Sequence, residues 1–198
     1  GAWAGYQRKN GSYSCSHLFA RSLLASESLT IPKLELHSLN AGSNMYSLLE
    51  TSLSEWIDVI YLAGDSEISL AWTIYETNKL DVFTRNRVTN IRSKVPLSQL
   101  HHVQGAFNLA DLGTRPSVVE AKDISPNSEW ICGKDWMKQP YENVLNQGIL
   151  KKISDIKLDN DAKKVLKEGL IDDFYEKEVR GFMVRVNKSD AEKIVQCE

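Results

Sequence analysis

The chain has 198 residues, enough for one domain of ordinary size with room for an extra segment, and its 42% hydrophobic and 25% charged residues describe a globular composition. A formal net charge of −2 creates no global positive field, so any contact with nucleic acid has to come from a local patch. Cys15, Cys132 and Cys197 are odd in number and far apart, which suits neither a disulfide framework nor a zinc site and favours a reducing compartment.

No apolar run approaches membrane-spanning length and the start does not read as a signal peptide, so no membrane contact is expected. Gly1-Ala2-Trp3, without an initiator Met, reads as the interior of a longer sequence. Residues 2–9 fit a strand rich in aromatic and small side chains. Asn10-Gly11 is a hairpin signal, and residues 13–20 alternate as a partner strand would.

After polar punctuation at 26–30, Thr30 and Pro32 open a helix, one as a cap and the other in a first turn that needs no N–H from it. Leu36, Leu39, Met45, Leu49 and Leu53 continue a helical stripe. Gly42 inside that stripe costs about 1 kcal/mol against Ala, which predicts a close approach to another element. Glu35 is expected in the first turn, where the helix dipole favours a carboxylate.

Residues 57–62 form a short run containing Ile57, Val59 and Ile60, which reads as a strand buried on both faces. Leu70, Ala71 and Ile74 follow at helical spacing. Between them lies Gly64-Asp65-Ser66, a carboxylate delivered where a strand ends and a helix begins. Ligands gather at that end of the strands in open α/β sheets, and a helix cap by Asp65 or Ser66 is the plainer alternative.

Residues 81–94 predict another helix, with Val82, Phe83, Val88 and Ile91 on one face and Arg85, Arg87, Arg92 and Lys94 on the other. Pro96 ends it. Residues 97–103 read as a strand and 104–107 as a loop. Asn108 caps a last helix with Asp111 in its first turn. A tryptophan-bearing loop occupies 129–136. Beyond it, 159–180 predicts a charged amphipathic helix with Val165, Leu166, Ile171, Phe174 and Val179 as buried positions. A strand at 182–186 and a helical turn or two at 189–195 complete the chain.

Three acids, Glu35, Asp65 and Asp111, each arrive at the terminus of a different element. One such residue is ordinary. Three suggest a divalent metal site, because magnesium and manganese take oxygen ligands and a two-metal centre needs several carboxylates together.

The segments carrying these acids resemble the ribonuclease H domain of retroelement polyproteins, specifically the BEL/Pao class of LTR retrotransposons. The resemblance lies in Leu29-Thr30-Ile31-Pro32-Lys33-Leu34-Glu35-Leu36, in Tyr61-Leu62-Ala63-Gly64-Asp65-Ser66 with Ala71-Trp72, and in Phe83-Thr84-Arg85-Asn86-Arg87-Val88. It continues through His102-Val103-Gln104-Gly105 and Asn108-Leu109-Ala110-Asp111-Leu112-Gly113-Thr114-Arg115, then fades at residues 130–136. It implies an α/β fold with a ribonuclease H-like mixed sheet flanked by helices, here lacking the first central strand, plus a helical carboxy-terminal tail.

The family's active site uses four acids, and Glu35, Asp65 and Asp111 match the second, third and fourth. The first, on the preceding strand, is not among these residues. The resemblance implies Mg2+ or Mn2+ as cofactor, Glu35 and Asp65 on one ion, Asp111 towards a second, and the first acid bridging. It implies cutting of the RNA strand of RNA–DNA hybrids, with this fragment inactive alone. Arg85, Arg87, Arg92 and Lys94 would touch hybrid phosphates through charge, unless they are a solvated helix face. His101 and His102 are expected to pack or to face solvent. Neighbouring reverse transcriptase and integrase domains and a cytoplasmic virus-like particle are further implications. The alternative is a non-catalytic, ribonuclease H-like interaction module adjoining an integrase. The expected division is a partial ribonuclease H-like domain at 1–137, a linker at 138–158 and a small α-rich tail at 159–198.

Overall fold

A computed structural model describes residues 1–24, 28–114 and 120–171. Expectations for Arg115, for the helix beyond 171, and for the strand and turns at 182–195 lie outside the described residues. Two sheets with helices make a mixed α/β architecture.

The first sheet is a hairpin, β1 (Ala2–Gln7) and β2 (Tyr13–Phe19), paired antiparallel with Gly5 opposite Cys15. The Asn-Gly signal works as expected: Gly11 takes φ +83°, which L side chains rarely adopt, and the Asn10 side chain accepts from the Ser12 N–H at 3.1 Å. Trp3 anchors the hairpin by donating its indole N–H to the Trp130 carbonyl at 2.8 Å, with the two rings edge-on.

The second sheet has the order β3 (Leu62–Gly64), β4 (Leu100–Val103), β5 (Leu150–Lys152), with β3 parallel and β5 antiparallel to β4. The apolar run at 57–62 is not the strand that its β-branched residues predict. Only Leu62–Gly64 pairs, Val59 and Tyr61 are exposed, and β3 is half-covered because its other edge meets no strand among the described residues.

The long helix α1 (Ile31–Leu53) buries Leu36, Leu39, Ser43 and Tyr46, the i, i+3, i+7, i+10 face. Met45, Leu49 and Leu53, expected on its stripe, are only half-covered. Gly42 sits where an added Cβ would come within 2.7 Å of Leu62 Cδ1, so this glycine is what lets α1 lie close to β3. Thr30 occupies the N-cap position without a side-chain bond, and the helix starts at Ile31. Glu35 therefore lies past the first turn. The expected dipole explanation for this acid does not hold.

Helices α2 (Glu67–Trp72) and α3 (Val82–Arg92) close the main core with Leu70, Trp72, Val88 and Ile91, all fully buried. Each such side chain contributes roughly 1.5–3 kcal/mol by leaving water. Ile74, expected to share the α2 stripe, is exposed, because the helix ends at Trp72. Val82 likewise faces solvent. The segment after Asn108 is a 3-10 helix, Leu109–Thr114, rather than an α-helix, and the tryptophan loop contains the short α4 (Glu129–Cys132).

Residues 138–158, expected as a linker, hold α5 (Tyr141–Asn146) and β5, and so supply a strand to the second sheet. Of the tail, α6 (Asn160–Leu166) is capped by Asp159 and ends far short of the expected 180 in a 3-10 turn, Lys167–Gly169. Trp72 donates its indole N–H to the Leu166 carbonyl at 2.8 Å, and Ile153 and Leu166 join the main core. A second, smaller core gathers Val103, Val144, Ile149 and Leu150 on the opposite face of β4. Among the described residues, no helix is long and apolar enough to cross a membrane.

Candidate functional site

Asp65 follows β3 directly and Ser66 is the N-cap of α2, its Oγ accepting from the Ser69 N–H at 3.2 Å. Ser66 is thus the cap, and the carboxylate of Asp65 is left for other partners. Three residues after that cap, buried Ser69 donates its hydroxyl to the Pro32 carbonyl at 3.0 Å. That bond ties the first turn of α2 to the first turn of α1, three residues before Glu35. It is the local reason why two acids 30 positions apart meet.

Glu35 is half-buried, and its carboxyl is raised above the usual range chiefly by burial, with the negative charge of Asp65 the smallest contribution. A polar contact from the Ser66 side chain works in the opposite direction. Asp65 in turn accepts from Asn108 Nδ2 at 2.9 Å through Oδ2, and its backbone carbonyl lies 3.2 Å from His102 Nε2. His102 is buried and pairs with Gly64 across the parallel register, so its position beside Asp65 follows from the strand alignment. The two histidines both pack rather than face solvent; His101 is 1% exposed.

Asp111 sits in the first turn of the 3-10 helix that Asn108 begins, its N–H reaching the Asn108 carbonyl at 3.4 Å. Glu35 and Asp65 are therefore brought together, and Asp111 is linked to Asp65 through Asn108. Among the described residues, no group of three or more His, Cys, Asp or Glu side chains is placed to hold a metal ion. The donor set at the Glu35–Asp65 pair is all oxygen, which suits a hard divalent cation, and the mutual repulsion of the two charges is what such an ion relieves.

The basic residues of α3 do not share one face. At 100° per residue, Arg85 and Arg92 project on one side and Arg87 about 200° away from it, while Lys94, expected on the same face, lies in the turn after the helix. Arg92 is committed to structure: its Nε donates to the Thr73 carbonyl at 2.6 Å and its guanidinium also reaches the Tyr75 carbonyl, satisfying orphan groups after α2. Arg87 stacks over the Phe83 ring, 3.3 Å from its centroid, and its Nε donates to His37 Nδ1 at 3.3 Å. Lys94 donates to the Asn44 side chain. Arg85 is half-buried.

Sequence reasoning missed the second roles of Ser66 and Asn108, and the contact of His102 with Asp65. The His102 contact follows from the parallel alignment of residues 62–64 with 100–102, a pairing that neither segment records by itself. Comparison with known protein families, with curated proteins and with solved structures found no match.

Proposed function

We propose that this chain is part of a retroelement ribonuclease H domain, in which Glu35, Asp65 and Asp111 supply three of the four acids of a two-metal centre for cutting the RNA strand of RNA–DNA hybrids. The observation that carries this reading is the meeting of Glu35 with Asp65, two like charges held together by dedicated polar neighbours. Fold maintenance alone gives no reason to keep that repulsion. Among the described residues the β1–β2 hairpin and the β3–β4–β5 sheet do not pair with each other, in keeping with the first central strand that the resemblance implies and these residues lack.

Glu35 and Asp65 would hold a Mg2+ or Mn2+ ion, which supplies activation of water and stabilisation of the leaving oxygen. What these residues themselves do is orient oxygen donors: Ser66 restrains Glu35, and Asn108 restrains Asp65. Arg85 is the cation of α3 with the fewest internal commitments and is the one proposed to touch hybrid phosphates.

The test is cleavage of an RNA–DNA hybrid with magnesium. The 198-residue chain is expected to be inactive, and a chain carrying a preceding strand with the first acid to be active and silenced by Asp65→Asn. Magnesium-dependent cleavage by the 198 residues alone would refute the requirement for four acids. Lack of cleavage by the four-acid chain would favour the non-catalytic module beside an integrase. In hybrid binding, Arg85→Ala should lower the salt slope by about one, as for a lost phosphate contact. Arg92→Ala should instead cost stability, on the order of 1–3 kcal/mol, by orphaning two carbonyls.

A further inference from the structure

Asn108 has a side chain with two ends, and each is used. Oδ1 accepts from the Ala110 N–H at 3.2 Å, which starts the 3-10 helix, and Nδ2 donates to Asp65 Oδ2 at 2.9 Å. The partners fix the amide's orientation, because a backbone N–H only donates and a carboxylate only accepts. Helix capping explains the first bond and not the second. Asp and Ser cap about as well as Asn, yet Asp would set a second negative charge against Asp65, and Ser is too short to span to it while also capping.

Ser66 repeats the pattern beside it: its Oγ caps α2, and the same side chain contacts Glu35. Both acids are thus tied to a helix start by a capping residue. A carboxylate carried on a single-bonded stem otherwise rotates, and a cation site needs its oxygens aimed.

We infer that Asn108 is a positioning residue for Asp65: its amide fixes the plane of that carboxylate for a divalent cation shared with Glu35, and couples it to the turn bearing Asp111. This rests on the proposal that the Glu35–Asp65 pair takes such a cation. Asn108 touches neither substrate nor, in this role, the ion. It acts through Asp65.

The experiment uses the full 198-residue chain, 15N-labelled, with Mn2+ alone as probe. In metal-free spectra the Asn108 side-chain amide should be displaced from the ordinary position of solvated amides and should return to it in Asp65→Ala. Mn2+ should broaden the amide signals of Gly64 and Ser66. Asn108→Ser, which keeps the cap, should weaken Mn2+ binding about tenfold, whereas added to Asp65→Ala it should weaken binding no further. Unchanged Mn2+ affinity in Asn108→Ser overturns the inference, as does equal weakening on the Asp65→Ala background or an Asn108 amide indifferent to Asp65. Failure of the underlying proposal looks different. Absence of Mn2+ broadening around Gly64 and Ser66 in the unchanged chain removes the cation site, and this role with it, even where the Asn108 amide still responds to Asp65→Ala.

Discussion

The two faces of β4 carry adjacent histidines into different surroundings. On one face His102 lies against the Asp65 carbonyl, beside the Glu35–Asp65 pair and above the main core. On the other, His101 Nε2 lies 2.6 Å from the Tyr141 hydroxyl, Tyr61 stacks on Tyr141 with centroids 4.8 Å apart, and the smaller core continues beneath. Burial discourages charge on both faces. It raises the Glu35 carboxyl and, with a lesser contribution from Lys152, lowers the His101 imidazole. The difference lies in the sign of the neighbouring charge, a small contribution beside burial on either face. Glu35 also suffers from a neighbouring negative charge, which a cation removes. His101 is simply kept neutral, and its aromatic neighbours gain nothing from an ion. One face sets two carboxylates beside capping side chains, and the other packs an imidazole among aromatic rings.

The largest effect expected from this contrast is on the aromatic face. Tyr141→Ala should cost about 3 kcal/mol in urea unfolding, through the lost ring and an imidazole left without its hydroxyl partner. Tyr141→Phe, which keeps the ring, should cost about 1 kcal/mol. Equal costs for the two would mean that the hydroxyl, not the packing, holds that face together.

Next comes the response to metal. At a Mn2+ concentration of about a hundred times its dissociation constant, thermal unfolding should report roughly 2.7 kcal/mol of added stability. Asp65→Asn should abolish the gain and Tyr141→Phe should retain it. A gain that survives Asp65→Asn would place the ion elsewhere.

Acidification should separate the faces further. His101 has a folded-state pKa below its unfolded value of about 6.5, so both states are neutral above that pH and stability is full. As pH falls through about 6.5 the unfolded chain binds the proton first, and stability declines. His101→Gln should flatten that decline in melting temperature; an unchanged slope would show that another group carries it.

The smallest effect has the opposite sign. Glu35 has a folded-state pKa above its unfolded value of about 4.3. Below that pH both states are protonated and there is no penalty. As pH rises, the unfolded chain ionises first and stability is lost. Glu35→Gln should therefore melt slightly higher than the unchanged chain at pH 7 and at the same temperature near pH 4. With saturating Mn2+ at pH 7 the order should reverse, because the variant has lost a ligand. Persistence of the higher melting temperature in Mn2+ would remove Glu35 from the cation site.

Local chemistry in the sequence settled much of this molecule. Asn10-Gly11 specified its hairpin because Gly11 tolerates a φ of +83° and the Asn10 side chain accepts from the Ser12 N–H. Asp81, whose carboxylate accepts from the Phe83 and Thr84 N–H groups at 2.8 and 3.1 Å, Asn108 and Asp159 specified helix starts because their short oxygens reach exposed N–H groups. Gly42 announced a close approach because no other residue leaves that space. Of the three acids, Asp65 and Asp111 stand at element boundaries that short-range rules can find, whereas Glu35 lies past the first turn of α1.

What only the tertiary structure decided depends on pairing across distance. The run at 57–62 reads as a buried strand, yet only its last residue, Leu62, pairs, since a strand is buried by its neighbours and not by its own composition. Residues 150–152 carry Leu-Lys-Lys and look like a linker, but the edge of β4 makes a strand of them. Arg92 reads as a charge for phosphate and serves two carbonyls, because the end of α2 lies beside it. Ser69 binding Pro32 brings Glu35 to Asp65, and Asn108 reaches Asp65 across 43 positions of sequence. Those contacts fold separate segments onto one another, and periodicity within each segment holds no record of them.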